Sequence, residues 1–171
     1  MYKIEKHTTA PRAPRTKTPE QALVALMRQC AKAEKCSHDA LGSMRRWGLS
    51  EEDASGVLER LKRERFIDDG RYASAYVREK MRFSGWGARK IAAALRAKRI
   101  DEALIEEALG QLTPEDDTSR LESVLSKKAQ TTSYKNLYDL KGKLVRFGLS
   151  RGFDLEDVLE VTERVLRARE P

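Results

Sequence analysis

Arg71, Arg78 and Arg82 stand at i, i+7 and i+11, a spacing that aligns side chains along one face of a helix. Arg89 and Arg96 are again seven apart. Lys90, Lys98 and Arg99 lie close by, and Arg60, Lys62, Arg63 and Arg65 precede the set. A cationic face of this kind neutralises phosphates or an acidic protein surface and performs no covalent chemistry of its own. Positive side chains near a helix C-terminus are also favoured by the helix dipole, so part of the set has a purely structural account. Trp86, within Ser84-Gly85-Trp86-Gly87, could stack on a base or insert at an interface, and equally could cover a helix end.

Other chemistry is poorly supplied. Cys30, Cys36 and His38 lie close together, but a structural zinc site takes four ligands with paired short spacings, and the second pair is missing. Cys30 also falls on an apolar stripe, where a free cysteine behaves as a small hydrophobe. Asp68 and Asp69 are adjacent carboxylates, and neighbours on a helix diverge by about 100°. Helix capping suits them better than a shared metal ion or acid–base pair. There are two histidines, and no phosphate-binding loop, nucleophile elbow or zinc-protease motif. The chain therefore reads as a non-enzyme with no catalytic residues, no metal and no cofactor.

These residues sit in a 171-residue chain with 40% hydrophobic and 36% charged residues and a net charge of +7. Residues 60–99 hold 13 Lys/Arg and 4 Asp/Glu, and residues 1–18 hold 5 and 1, so the rest is net acidic. A localised basic segment favours a polyanionic partner more than evenly spread charge would. No stretch approaches the roughly 18 apolar residues of a membrane span, and two cysteines without a leader suit a reducing, cytoplasmic setting. Residues 1–17, with Pro11, Pro14 and five basic residues, read as a basic disordered arm.

The elements that would position the cations follow one apolar template. Taking Leu49, Ile100 and Leu149 as anchors, Ala40/Met44, Ile91/Leu95 and Leu140/Leu144 precede them at equal offsets, and Leu58/Leu61, Leu109/Leu112 and Val158/Val161 follow. The period of about fifty residues predicts an all-α fold of three tandem three-helix repeats forming an elongated, curved array, over 18–65, 66–112 and 113–171. Thr18-Pro19-Glu20-Gln21 is a capping box, Ser37 a second start, and Gly48 a helix end. Phe66-Ile67 before Asp68 resembles a hydrophobic staple. Leu121, Val124 and Leu125 line the first helix of unit three, and Tyr134, Leu137, Leu140 and Leu144 its second, ending at Gly148. Ser150 to Phe153 then precede a last helix carrying Leu155, Val158, Leu159, Val161 and Leu166.

The stretch from Phe66 to Ile100 resembles the RecX family of bacterial recombinase regulators. The match runs through Phe66-Ile67-Asp68-Asp69, Arg71-Tyr72-Ala73, Tyr76-Val77-Arg78, Gly85, Lys90-Ile91, Leu95, Lys98 and Ile100. The resemblance implies a monomeric, cytoplasmic modulator that binds the RecA–DNA filament and inhibits its strand exchange, ATP turnover and co-protease role in DNA repair and the SOS response. RecA and single- or double-stranded DNA, without sequence preference, would be the partners, met by Arg71, Arg78, Arg82, Trp86, Arg89, Lys90, Arg96, Lys98 and Arg99. Phe66, Ile67, Asp68, Asp69, Tyr72, Tyr76, Ile91 and Leu95 form the structural signature. Arg99 departs from the family's usual glycine, costing roughly 1 kcal/mol if its φ is positive. The competing reading is a helical DNA-binding transcriptional regulator.

Overall fold

The computed structural model describes residues 16–111 and 113–169, so the basic arm up to Arg15, with His7, and the template position Leu112 lie outside the described residues. Nine helices run through the described residues: α1 (Pro19–Cys30), α2 (Ser37–Arg46), α3 (Glu51–Arg63), α4 (Asp69–Ser84), α5 (Ala88–Ala97), α6 (Glu102–Leu109), α7 (Pro114–Thr131), α8 (Leu137–Ser150) and α9 (Leu155–Arg167). Helix-on-helix packing lies within consecutive triplets: α1 and α2 on α3, α4 and α5 on α6, α7 and α8 on α9. Each triplet has its own core. Leu26, Met44 and Leu61 centre the first, Ile91, Leu95 and Ile105 the second, and Leu125, Leu144 and Val158 the third. The protein is thus a helical repeat array.

Local code starts the helices. The Thr18 hydroxyl accepts from the Gln21 amide while the Gln21 side chain accepts from the Thr18 amide, closing the capping box. Ser50, Asp68, Asp101, Thr113, Asn136 and Asp154 each accept a backbone N–H of the helix that follows them. α2 differs from the expected start. Cys36 holds its cap position without a side-chain bond, and Ser37 is the first helical residue.

The two apolar residues before α4 are not its own staple. Phe66 and Ile67 pack in the first core, whereas Cys36, from the α1–α2 connection, is fully buried in the second. Neighbouring units thus exchange one side-chain group each.

The third unit corrects the template. Leu149 is 41% exposed, and Phe153 is the residue buried at the anchor position. Gly48 and Arg99 have φ of 79° and 55°, and the matching left-handed residue in unit three is Gly152 at 85°, not Gly148. The amides of Leu49, Ile100 and Phe153 donate to the carbonyls of Met44, Leu95 and Gly148, the same six-residue closure each time. α8 therefore runs on past Gly148 to Ser150, and Gly148 is buried where a Cβ would come within 2.9 Å of Val158. With the anchor at Phe153, the triplets Ala54/Val57/Leu61 and Val158/Val161/Val165 fall into register, all buried. Leu155 and Leu159 on α9, and Tyr134 and Leu137 around the start of α8, are exposed rather than inward.

Candidate nucleic-acid interface

Most of the cations singled out by spacing are held by partners across a junction or a turn. Between the first and second units, the Ser37 N–H and O–H donate to the two carboxylate oxygens of Asp69 at 2.7 and 2.6 Å, and Lys62 lies 3.6 Å from the same group. Asp68 caps its own helix through the Arg71 amide. The adjacent carboxylates thus divide their work: one caps α4, and the other supplies the cap that α2 lacks.

Arg71 bonds Glu34 at 2.6 Å and reaches the carbonyls of Arg65 and Phe66. The Glu34 hydrogen bond holds the guanidinium pKa up against a smaller opposing effect of burial. Lys98 donates to Asp39 at 2.7 Å and stands 5.9 Å from the ring of Tyr72. Burial would raise the Asp39 carboxyl, but the hydrogen bond and charge of Lys98 outweigh it and hold the pKa below its ordinary value. Burial pushes the Tyr72 phenol up to about 12. It also raises the Cys36 thiol, so that group stays a protonated, packed thiol.

The second junction uses backbone. The Gly87 amide donates to the Arg151 carbonyl at 2.8 Å, and the Arg89 amide to the Gly152 carbonyl at 3.2 Å. The Arg151 guanidinium donates to the Ser84 carbonyl at 2.8 Å, and the Lys90 ammonium to the Ser150 carbonyl at 2.9 Å. Arg89 pairs with Asp154 at 3.3 Å. A Cβ on Gly87 would lie 2.5 Å from the Gly152 oxygen, so the close approach requires glycine.

The remaining members of the set divide sharply. Arg96 grips Glu102 on its own unit through two nitrogens. Trp86 is part-buried against the second core with Lys90 and Lys80 at 4.7 and 5.7 Å from its ring centroid, so it covers a helix end and is not an open stacking platform. Arg78, Arg82 and Arg99 are exposed and have no acidic partner among the described residues. Arg99 holds φ 55° and Arg65 φ 60°, so two arginines occupy conformations that favour glycine.

Arg82 leads to residues that lie outside the basic window. The C-terminal turn of α4 faces α7 and the end of α8 across a cleft of about 460 Å³, lined by Arg82, Arg120, Lys127, Lys128 and Arg151 and by no carboxylate. Phe83 stands at this cleft 76% exposed with the Arg82 guanidinium 5.4 Å from its ring centroid. Phe147 lies between Arg151 at 4.8 Å and Lys128 at 5.2 Å. Arg120 pairs with Asp117, yet its Nε–H is buried without a partner among the described residues. The Lys127-Lys128 pair, and a phenylalanine off the apolar stripe at position 83, were the available signals for this second basic surface.

Cys30 and Cys36 do not converge: Cys30 packs against the first core and Cys36 sits in the second. Among the described residues no group of three or more His, Cys, Asp or Glu could hold a metal ion, and no helix is long and apolar enough to cross a membrane.

Comparison with known proteins places this arrangement. Residues 68–109 match the second three-helix domain of RecX, and residues 115–162 match its third. The Streptomyces lividans protein named Regulatory protein RecX is 30% identical over 148 residues, spanning 84% of this chain and 79% of that protein. The Clostridium beijerinckii protein of the same name is 28% identical over 152 residues, spanning 86% and 68%. The crystal structure of RecX from Lactobacillus salivarius superposes with a TM-score of 0.75 at 21% identity, over 86% of this chain and 96% of that one. A second RecX crystal structure gives 0.78 at 22% identity over 85% and 73%. The two matching domains, and sequence identity sustained over that length on a shared fold, make this chain a member of the RecX family.

Proposed function

We propose that this chain regulates the RecA recombinase by binding the RecA–DNA filament in the cytoplasm as a single copy and inhibiting strand exchange, ATP turnover and co-protease activity. Membership of a family whose proteins are named regulatory proteins carries the reading. The architecture supports it physically. Small cores joined in series span a long surface with few residues, the geometry suited to bridging neighbouring subunits of a filament. The unpaired Arg78 and Arg82, four apart on α4, offer cations toward nucleic acid.

The test is RecA ATPase on single-stranded DNA titrated with this protein. Hydrolysis falls as the protein is added, and an unchanged rate at saturating excess refutes the reading. Replacing Arg78 and Arg82 by Glu should weaken inhibition of strand exchange and flatten its salt dependence while leaving the circular dichroism and melting temperature close to those of the parent.

A further inference from the structure

We infer that the cleft between the end of α4 and helices α7 and α8 is a binding site for a single-stranded polynucleotide, with phosphates held by Arg82 and Lys127 and a base stacked on Phe83. The inference deepens the regulator reading by assigning the nucleic acid its own site, and it rests on that reading only for its biological setting.

Several observations converge on this cleft. Five cationic side chains line it, four of them without an ion pair among the described residues, and no carboxylate does. By contrast, at the first junction Arg71 and Lys98 are already neutralised by Glu34 and Asp39. An anion entering the cleft meets Arg82 and Lys127 exposed and free of ion pairs among the described residues, so it displaces no partner. Arg120 on the cleft wall is part-buried and paired with Asp117, so Arg82 and Lys127 are the cations open to an entering phosphate.

The choice of a single strand comes from the aromatic. Phe83 is 76% exposed and carries an arginine beside its ring, an arrangement that stacks an unpaired base and offers nothing to a paired one. A cleft of about 460 Å³ is of a size to take about one or two nucleotide units. An acidic protein segment would satisfy the cations but leave the ring unused.

The experiment measures binding of fluorescein-labelled oligothymidylate to the full-length protein by anisotropy across a salt series, without RecA. Arg82→Ala with Lys127→Ala is expected to lower affinity about tenfold and to reduce the slope of log K against log salt by about 1.4, near 0.7 for each phosphate contact of a single strand. Phe83→Ala is expected to lower affinity about tenfold with the slope unchanged, because stacking releases no counterions. Arg45→Ala with Arg63→Ala, an equally exposed and unpaired pair on the first unit, is the charge-matched control and should bind as the parent does.

Equal losses in the cleft pair and the control pair would overturn the site, leaving only general electrostatic attraction. So would unchanged binding in the cleft variants, or better competition by duplex DNA or polyglutamate than by unlabelled oligothymidylate. Each variant is compared only if its melting temperature lies within a few degrees of the parent's. Failure here is separable from failure of the regulator reading, which is decided by the parent protein's effect on RecA ATPase.

Discussion

Replacing Gly87 by Ala would put a methyl carbon 2.5 Å from the Gly152 carbonyl oxygen and 2.7 Å from the Phe153 amide nitrogen. Both are backbone atoms and cannot rotate aside, so the second junction must open or shift. Opening costs the Gly87-to-Arg151 and Arg89-to-Gly152 backbone bonds, about 1 kcal/mol each, and a shift instead costs about 1–3 kcal/mol of overpacking. We expect a loss of about 2–3 kcal/mol localised to the junction, since the second and third cores are each complete without it. The assay is native-state amide exchange. The Arg89 amide, which bonds across the junction, should exchange on the order of 30- to 100-fold faster, while the Leu95 amide inside α5 keeps its protection. Unchanged exchange at Arg89 would refute the steric argument. Equal acceleration at Leu95 would refute its localisation. Gly56→Ala is the counter-test. Nothing lies within 4 Å of a Cβ there, so the same substitution inside α3 should stabilise by roughly 0.5–1 kcal/mol.

Other outcomes follow from features of the two junctions. Arg99→Gly removes a side chain from a residue at φ 55° and should raise stability by about 1 kcal/mol, a melting-temperature gain of a few degrees; a lower melting temperature would mean that the arginine contributes more than its strain costs. Asp69→Ala deprives Ser37 of both its acceptors and should cost about 2 kcal/mol in urea unfolding, and a loss below about 0.5 kcal/mol would deny the cross-unit cap. Tyr72 has a phenol raised by burial from 10.0 to about 12, so its contribution to stability is complete below pH 10 and is lost as pH rises toward 12. Lys98 acts in the same window: burial opposes its charge, but Asp39 and Tyr72 hold its pKa above the ordinary lysine value. Melting curves of the parent and Tyr72→Phe should therefore diverge above pH 10, the parent falling faster, and parallel curves through pH 12 would contradict this.

The fold was legible where its code is local. Thr18 with Gln21, and Ser84 through Gly87, specify a start and a break within four residues, and both are present. The unit-three register was not legible, because four extra residues are nearly one helical turn. Leu140/Leu144 and Leu144/Gly148 lie on almost the same face, so an ungapped template accepts either. The burial of Phe153, the left-handed Gly152 and the packing of Gly148 against Val158 separate the two. The candidate site divided in the same way. Helical spacing placed Arg78 and Arg82 on one exposed face, a local inference. The partners that neutralise Arg71, Lys98 and Arg89 lie 37, 59 and 65 residues away, and no pattern within a single helix reveals them. Likewise the cleft joins Arg82 to Lys127 and Arg151 through tertiary packing, so its carboxylate-free lining has no signature along the chain.

The two junctions also differ in how they answer their surroundings. The first is held by carboxylates and ammonium or guanidinium groups that remain partly open to solvent, so dissolved ions weaken it. The second is held in large part by amide–carbonyl bonds, which ionic strength barely touches. Raising salt therefore weakens the polar part of the first junction more than the second, whose backbone bonds persist, while the apolar exchange of Cys36, Phe66 and Ile67 keeps the first unit attached. Of the two links in the array, the one between the first and second units is the more sensitive to the ionic medium.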